Sequence, residues 1–216
     1  KGGLLERLPK YCFLIGIVSL VVSLLFYFKD SHHFFYSYLT AFVFFLTLSL
    51  GGLFFVMILY LTRAGWGVVV RRIAEHIMKN VWVMGLFFIP ILFGLHDLYH
   101  WTHPHAVATD HLLYHKSGFL NVVFFLIRAI VYFLIWIWLS SVFFRKSTFQ
   151  DQFDNKEITY QLQKIASFGM LLYALSQSFG FIDWVMSITP HWFSTIFGVY
   201  FFAGSAVVSI ASIILI

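Results

Sequence analysis

The chain has 216 residues, of which 61% are apolar and only 11% carry a charge. A soluble domain typically has roughly 45–50% apolar and about 25% charged residues. This composition therefore excludes a soluble globular domain and predicts an all-α, polytopic transmembrane bundle. In such a protein, the net charge of +5 reports membrane orientation rather than nucleic-acid binding.

Apolar runs predict six membrane spans, because about 20 apolar residues in a helix cross a hydrocarbon core of about 30 Å. No small-residue cleavage site follows the first run, so we interpret it as a span and not as a signal peptide. The third span is short, and Pro90 interrupts it. The predicted spans are residues 11–28, 36–62, 80–95, 118–144, 165–182 and 193–216.

We expect residues 1–216 to form a single transmembrane domain that is truncated at both ends. The chain does not begin with Met, and it stops inside the sixth predicted span. A longer protein with additional helices is therefore expected.

Basic residues are distributed unequally between the two ends of the predicted bundle. Connections after odd-numbered spans contain only Lys29 and Lys116. The N-terminal segment and the connections after even-numbered spans contain Lys1, Arg7, Lys10, Arg63, Arg71, Arg72, Lys79, Arg145, Lys146, Lys156 and Lys164. Because Lys and Arg concentrate in cytoplasmic loops, this asymmetry predicts a cytoplasmic N-terminus.

Segment 66–79 has a pattern that differs from the spans. One set of its residues is apolar and recurs at helical spacing: Trp66, Val70, Ile73 and Ile77. The other set is polar: Arg71, Arg72, Glu75, His76 and Lys79. The pattern predicts an amphipathic helix on the inner membrane surface, with i,i+4 pairs from Glu75 to Arg71 and Lys79. The helix is either a solvated connector or a docking surface for another subunit.

Histidines are concentrated on the opposite, predicted outer side. His96/His100 and His111/His115 are i,i+4 pairs, which share one face when they lie on a helix and can then bind a metal. Integral-membrane di-iron oxygenases also use HxxxH boxes, but there they are expected on the cytoplasmic side, together with an adjacent-histidine box. Three interpretations remain open: a polar loop at the membrane boundary, a proton-exchange surface at a channel mouth, and a metal site.

The sequence lacks ligands for most redox cofactors. Cys12 is the only cysteine, which excludes an internal disulfide, a c-type haem attachment motif and an iron–sulfur cluster within this chain. Haem b needs axial histidines that face each other within the spans. His96 and His191 lie only at span boundaries, so we expect no cofactor ligation by this chain.

Arg128 is a charged residue within the predicted fourth span. It lies about ten residues into that span, which places it about 15 Å deep. A charge near the bilayer centre costs at least about 2.5–3.5 kcal/mol unless it is paired or hydrated. We therefore expect Arg128 to face the bundle interior and to pair with an acid, the candidates being Asp97, Asp110 and Asp183.

A polar track is predicted to run inward from the outer side. Its proposed members are Asp183, Gln177, Ser176, Tyr173 and Arg128, with His96, Asp97 and His191 at the outer mouth. The track is either a proton half-channel or a buried pair that fixes the register of two helices.

Three segments carry a resemblance to a known family. Residues 183–198 read DWVMSITPHWFSTIFG, and residues 199–204 read VYFFAG. Together they resemble the DWVMS-x-x-PHWFST-x-x-G-x-YFFAG signature of the ActF subunits of alternative complex III, a bacterial quinol:cytochrome c (or quinol:acceptor) oxidoreductase. RAGWGVVVRRIAE at 63–75 and LYHWTHP at 98–104 are similar to two further elements of that family.

The resemblance implies a fold. ActF subunits are similar to NrfD/PsrC-like membrane subunits, which have about ten helices arranged as two four-helix bundles with flanking helices. The six spans predicted here would then form one bundle and part of the second.

The resemblance also implies a role. In that family haem c and iron–sulfur clusters reside on partner subunits, and quinol is oxidised chiefly at a homologous quinol-binding membrane subunit. The expected function is thus a cofactor-free subunit in the bacterial inner membrane, with a proton-pathway and scaffolding role, and quinone as a conceivable ligand. Its implied partners are multihaem cytochromes, an iron–sulfur subunit, the homologous membrane subunit and lipid. The alternatives are an HxxxH metal-dependent membrane oxygenase and a transporter fragment.

Overall fold

Six membrane-length helical spans dominate the computed structural model, which describes residues 4–151 and 156–216. The spans are Arg7–Lys29, Ser31–Leu61, Gly65–Phe93, Val122–Gln150, Glu157–Ile188 and Phe197–Leu215. No strand occurs in these two described ranges. The predicted fold class is therefore confirmed. Lys1 and the side chain of Lys156, both members of the predicted basic set, lie outside the described part.

The α-helices are numbered in chain order. They are α1 (Leu4–Lys29), α2 (Ser31–Leu61), α3 (Val68–Lys79), α4 (Val81–Phe87), α5 (Ile89–Phe93), α6 (Leu95–Leu98), α7 (Pro104–Thr109), α8 (His111–Lys116), α9 (Val122–Gln150), α10 (Lys156–Trp184) and α11 (Phe197–Leu215). Because the spans alternate in direction, one end of the bundle carries the histidine-rich segment 95–121, called the histidine end here. The other, called the basic end, carries Arg63, Arg71 and Arg145.

Helix α2 forms the centre of the bundle and contacts α3, α9, α10 and α11. Its Leu46, Leu50 and Leu53 are fully buried. Gly51 lies so close to α11 that a Cβ there would collide with the backbone carbonyl of Ser205. Small residues permit this close backbone approach between membrane helices, where lipid provides no hydrophobic driving force for association.

The third span is a series of short helices rather than one continuous helix. Helix α4 ends at Phe87, and α5 begins at Ile89 with Pro90 in its first turn. Proline lacks a backbone N–H and clashes with the preceding turn. The predicted interruption by Pro90 is therefore confirmed.

Most of segment 66–79 forms the separate helix α3 (Val68–Lys79), which lies in the first half of this third span. Helix α3 packs against α2 and α9, and Glu75 is fully buried. The predicted position of Glu75 on a solvated face is thus wrong. Trp66 is 72% exposed. The helix keeps two faces, with Ala74, Ile77 and Met78 buried and His76 and Lys79 exposed, and Glu75 lies on the buried face.

Helix α1 contributes little to the core. Its apolar side chains from Tyr11 to Phe28 are exposed, and the ring contacts it makes lie at its end, where Tyr27 meets Phe34 and Phe35. An apolar helix exposed on all sides requires lipid or another protein around it.

Candidate functional site

A buried ion pair joins α9 to α10 near the histidine end. The Nε atom of Arg128 lies 2.7 Å from Oδ2 of Asp183, and its Nη2 lies 3.0 Å from Oδ1. Arg128 is 8% exposed and Asp183 is 1% exposed. The expectation that Arg128 faces the interior and pairs with an acid is confirmed, and the bidentate geometry is the strong form of this interaction.

Arg128 lies closer to the start of its helix than the predicted span bounds imply. Helix α9 begins at Val122, because Asn121 caps it by accepting a hydrogen bond from the Phe124 amide at 2.9 Å. Arg128 is six residues further, which corresponds to about 9 Å along the helix. The pair therefore lies nearer the histidine end than the middle of the span.

Further contacts satisfy the remaining groups of this pair. Nη1 of Arg128 donates to the Phe119 carbonyl at 2.9 Å, and the guanidinium lies 3.9 Å from the Phe119 ring centroid and 4.4 Å from that of Phe124. The Tyr132 hydroxyl donates to Oδ2 of Asp183 at 2.9 Å. Each guanidinium nitrogen is hydrogen-bonded, and the rings add cation–π attraction, so the pair is held in one geometry.

Tyr132 was missed by the sequence reasoning, although a signal was available. Residues at i and i+4 share a helix face, so a tyrosine four positions after Arg128 was placed to contact the same acid. Trp136, one more turn along α9, donates from Nε1 to the Ser176 hydroxyl at 2.8 Å.

The other predicted members of the track form a separate group deeper in the bundle. The Gln177 amide donates to the Ser205 hydroxyl at 3.2 Å, and the Ser176 hydroxyl donates to the Leu172 carbonyl at 2.7 Å. The structure gives no direct hydrogen bond from Ser176, Gln177 or Tyr173 to Asp183 among the described residues. The predicted track is thus divided into two parts.

Three polar atoms in this deeper group have no hydrogen-bond partner in the part of the chain that the structure describes. They are the Tyr173 hydroxyl, Oε1 of Gln177 and the Ser209 hydroxyl. Tyr173 and Gln177 lie one turn apart on α10, and Ser209 lies one turn from Ser205 on α11. Gln177 meets Ser205 of α11, whereas Tyr173 stacks on Phe54 of α2 and Ser209 lies beside Gly51 of α2. The three atoms therefore lie around the α10–α11 seam, where both helices pack on α2, and buried polar atoms of this kind can bind ordered water.

The residues predicted at the outer mouth have other partners. Nε2 of His191 lies 2.7 Å from Oδ2 of Asp110, and Asp97 accepts a hydrogen bond from the Ser31 hydroxyl at 3.2 Å. His96 contacts the Thr102 hydroxyl at 3.1 Å. These side chains tie the loops of the histidine end to one another, and the structure does not bring them into contact with Asp183.

The end of α10 is instead held by the segment after α6. The Tyr99 hydroxyl donates to the Trp184 carbonyl at 2.9 Å, and the Trp101 Nε1 donates to the Ser187 hydroxyl at 3.3 Å. The Ser187 hydroxyl in turn donates to the Asp183 carbonyl. Burial, with a smaller contribution from the charge of Asp183, raises the pKa of Tyr99 above its usual range, so Tyr99 stays a neutral hydrogen-bond donor.

Two opposing effects act on the pKa of Asp110. Desolvation raises its pKa, but hydrogen bonds from the Leu113 and Leu112 amides and the neighbouring His191 outweigh it, so the net effect is a lowered pKa. Asp110 therefore has two structural functions: it caps α8 and anchors the segment before α11 through His191.

One of the two HxxxH pairs forms as predicted. His111 and His115 lie on α8 with their Nε2 atoms 3.2 Å apart. His96 and His100 do not share a helix face, because α6 ends at Leu98; Nε2 of His103 instead contacts the His96 carbonyl at 3.0 Å. Within the described ranges, no group of three or more His, Cys, Asp or Glu side chains is arranged to hold a metal ion.

A second buried acid, Glu75, lies at the basic end, and its burial was not predicted from the sequence. Oε2 of Glu75 is 2.5 Å from Nη1 of Arg72, and Oε1 is 3.4 Å from Nε of Arg71. Arg72 also pairs with Asp151. The predicted i,i+4 pair with Arg71 is therefore present, whereas Lys79 lies over the Phe144 ring, 4.0 Å from its centroid.

An apolar cavity of about 240 Å³ lies beside the Arg128 site. Phe119, whose ring covers the Arg128 guanidinium, forms part of its wall, together with Trp192 and Phe193. Its volume is below the roughly 300–1,000 Å³ typical of small-molecule pockets.

Comparisons with known proteins identify no family for the chain. No protein-family model matches it, and no curated protein matches it either.

Proposed function

We propose that this chain is an integral membrane subunit of a respiratory complex that oxidises quinol and reduces cytochrome c or another acceptor. Its role there is to provide part of a proton pathway and to act as a scaffold beside the quinol-oxidising subunit. Support comes from the sequence elements at 183–204, 63–75 and 98–104. The observation that carries the proton role is the buried Arg128–Asp183 pair with the unpartnered polar atoms farther along α10.

Asp183 suits a proton-transfer step that depends on opening the ion pair. While Arg128 holds both of its oxygens, Asp183 is a fixed carboxylate. A proton on Asp183 removes one charge of the pair and leaves Arg128 with an uncompensated charge in a buried site, which is unfavourable. Movement of Arg128 away from Asp183 would then couple proton uptake to a shift of α9 relative to α10.

Water in the α10–α11 seam would extend the path inward. The Tyr173 hydroxyl and Oε1 of Gln177 lack protein partners, and each can hydrogen-bond to water. Hydrogen-bonded water between such groups carries protons without a side chain that titrates at each step. The gap between Asp183 and this seam is the point at which the path would open and close.

Electron transfer is assigned to partners. The chain's single cysteine, Cys12, is exposed on α1, and one thiolate is insufficient for a cluster. We propose, from the resemblance, that haem c and iron–sulfur clusters belong to multihaem cytochrome and iron–sulfur subunits, and that quinol is oxidised chiefly at a homologous membrane subunit. Quinone remains a proposed occupant of the cavity beside Phe119. The exposed apolar surface of α1 is available to lipid or to a partner, and the proposed location is the bacterial inner membrane.

One specific observation favours the metal-dependent oxygenase alternative: the close pair His111 and His115. Two ligands fall short of the three or more found at catalytic metal sites. The transporter alternative would use Arg128 as a substrate contact, but each of its guanidinium nitrogens is already hydrogen-bonded within the chain.

The deciding experiment is purification of the chain from its native membranes in mild detergent, followed by an optical spectrum and identification of co-eluting subunits. Stoichiometric c-type haem and iron–sulfur partners would support the proposal. A lone polypeptide that contains iron would favour the oxygenase. In the intact complex, Asp183→Asn is expected to lower the number of protons released per electron. Asp30→Asn, a change to an exposed acid at the same end that caps α2 and lies outside the proposed track, is expected to leave it unchanged.

A further inference from the structure

A cavity of about 530 Å³ lies at the basic end of the bundle, between the end of α2, the start of α3, and the facing ends of α9 and α10. It is separate from the Arg128 site, because Gln150, the last residue of α9, lines it, whereas Arg128 lies in the second turn of that helix. The cavity is therefore a second site at the other end of the membrane spans.

The wall of this cavity is positively charged. Arg63 and Arg71 both line it, together with one carboxylate, Asp151, among the described lining residues. Asp151 is already paired with Arg72. The Arg63 Nε donates to the neutral Oε1 of Gln163 at 3.3 Å. Glu75 pairs with Arg71 and Arg72. Among the described residues around the cavity, Arg63, Arg71 and Arg72 thus face two carboxylates, Glu75 and Asp151. The net positive charge favours an anion, and guanidinium groups are well suited to phosphate oxygens.

A buried hydroxyl on the same wall lacks a partner. Tyr60 lines the cavity and is 5% exposed. Its hydroxyl makes no hydrogen bond within the described ranges, although the Ser147 hydroxyl lies near it. A buried polar group without a partner costs free energy. A phosphate oxygen would accept the hydrogen bond that this hydroxyl can donate.

The backbone at Arg63 is also unusual. Arg63 has a φ of 52°, and it is the one non-glycine residue with a positive φ in the described ranges. This position follows the end of α2, where helices usually place glycine. Arginine is disfavoured in this backbone conformation. Residues with such unusual backbone angles cluster at functional sites.

We propose that this cavity binds the phosphodiester group of an anionic phospholipid. Arg63 and Arg71 would neutralise the phosphate, and Tyr60 would donate a hydrogen bond to it. Basic pockets between membrane helices are known to take anionic headgroups. A lipid is favoured over soluble phosphate because exposed apolar residues adjoin the cavity: Val68 lines it at 57% exposure, and Trp66 nearby is 72% exposed. Acyl chains would cover these side chains.

The test is thermal unfolding of the whole protein in a neutral detergent with added phosphatidylglycerol, phosphatidylcholine or inorganic phosphate. Phosphatidylglycerol is expected to raise Tm in a saturable manner, and phosphatidylcholine is not.

Arg63→Gly should weaken the apparent affinity for phosphatidylglycerol by about tenfold or more, because a hydrogen bond between charged groups is lost. Glycine suits the positive φ, so this variant should fold. Arg145→Gln, which removes an exposed arginine at the same end outside the cavity, is the matched control.

Tyr60→Phe provides a second variant that keeps the shape of the core. It should also weaken phosphatidylglycerol binding, without lowering the Tm of the lipid-free protein. Equal phosphatidylglycerol affinity in wild type, Arg63→Gly and Tyr60→Phe would overturn the site. An equal Tm rise with inorganic phosphate would overturn the lipid as its occupant, and an equal rise with phosphatidylcholine would overturn recognition of the anionic group.

Discussion

Arg128 and Asp183 lie 55 positions apart in the sequence, yet the guanidinium of one holds both carboxylate oxygens of the other. Both side chains are buried, so neither charge can return to water if its partner is removed. The pair therefore contributes to the register of α9 and α10 whatever its role in proton transfer.

Removing one member of this pair should destabilise the protein strongly. We expect Asp183→Asn to cost about 3–5 kcal/mol of unfolding free energy, because it leaves a buried arginine without a counter-charge. Arg128→Gln should cost a similar amount, and the double variant should cost less than the sum of the two. Unfolding in detergent checks this double-mutant cycle. Additive losses would show that the two charges do not interact.

The close contact between α2 and α11 gives a second prediction. Gly51→Ala should destabilise the bundle by about 1–3 kcal/mol, because the added Cβ meets the Ser205 carbonyl and the helices must separate. Gly204→Ala is the matched control. It is also a helical glycine, but an added Cβ there meets no atom within 4 Å. Equal thermal stability of the two variants would contradict this packing.

The spans were predictable because lipid imposes a single requirement on all of them. Each must be apolar for about 20 residues and must satisfy its own backbone hydrogen bonds, and hydropathy along the chain reports both conditions. The burial of Arg128 followed from the same cost of placing a charge in lipid. Which of the three candidate acids pairs with Arg128 could not be predicted, because the pairing depends on how α9 and α10 are rotated against each other.

Side-chain partners across helices were the part that the sequence could not supply. The amphipathic pattern of 66–79 placed Glu75 on a solvated face, but the packing of α3 against α2 and α9 buries it. His191 was assigned to the Asp183 track, but loop geometry brings it to Asp110. Short-range signals in the sequence were more informative. The contact of Tyr132 with the Arg128 site could have been predicted from its i+4 spacing to Arg128. The helix break at Pro90 was predictable because proline has no N–H donor.

A pH effect is expected from Asp110, which lies outside the membrane-spanning segments. Its folded pKa is lowered, so its charge stabilises the folded state above the unfolded pKa of about 3.9. That contribution is lost as the pH falls through the lower, folded pKa. Asp110→Asn retains a side chain that can cap α8 but has no charge. Wild type should therefore have the higher Tm at pH 6, and the difference should shrink towards pH 3. A difference that stays constant over this range would show that the charge of Asp110 is not involved.

The last prediction concerns the loss of stability when Glu75 is replaced. The size of this loss depends on how exposed its arginine partners are. Glu75 has no exposed side-chain surface, but its partners Arg71 and Arg72 keep 19% and 31% of theirs exposed. In Glu75→Gln, these arginines can recover part of their hydration, and Arg72 retains Asp151. The expected loss is about 1–3 kcal/mol, the cost of leaving a buried polar network partly unsatisfied, and is smaller than that of Asp183→Asn.

Asp151→Asn is the matched control at the same arginine. The Asp151 side chain is 55% exposed, and exposed ion pairs contribute at most about 1 kcal/mol. Thermal unfolding should therefore order the variants with Asp183→Asn least stable, Glu75→Gln intermediate and Asp151→Asn closest to wild type. If Asp151→Asn were as damaging as Glu75→Gln, the stability of the basic end would depend on the exposed pair between α3 and α9 and not on the buried glutamate.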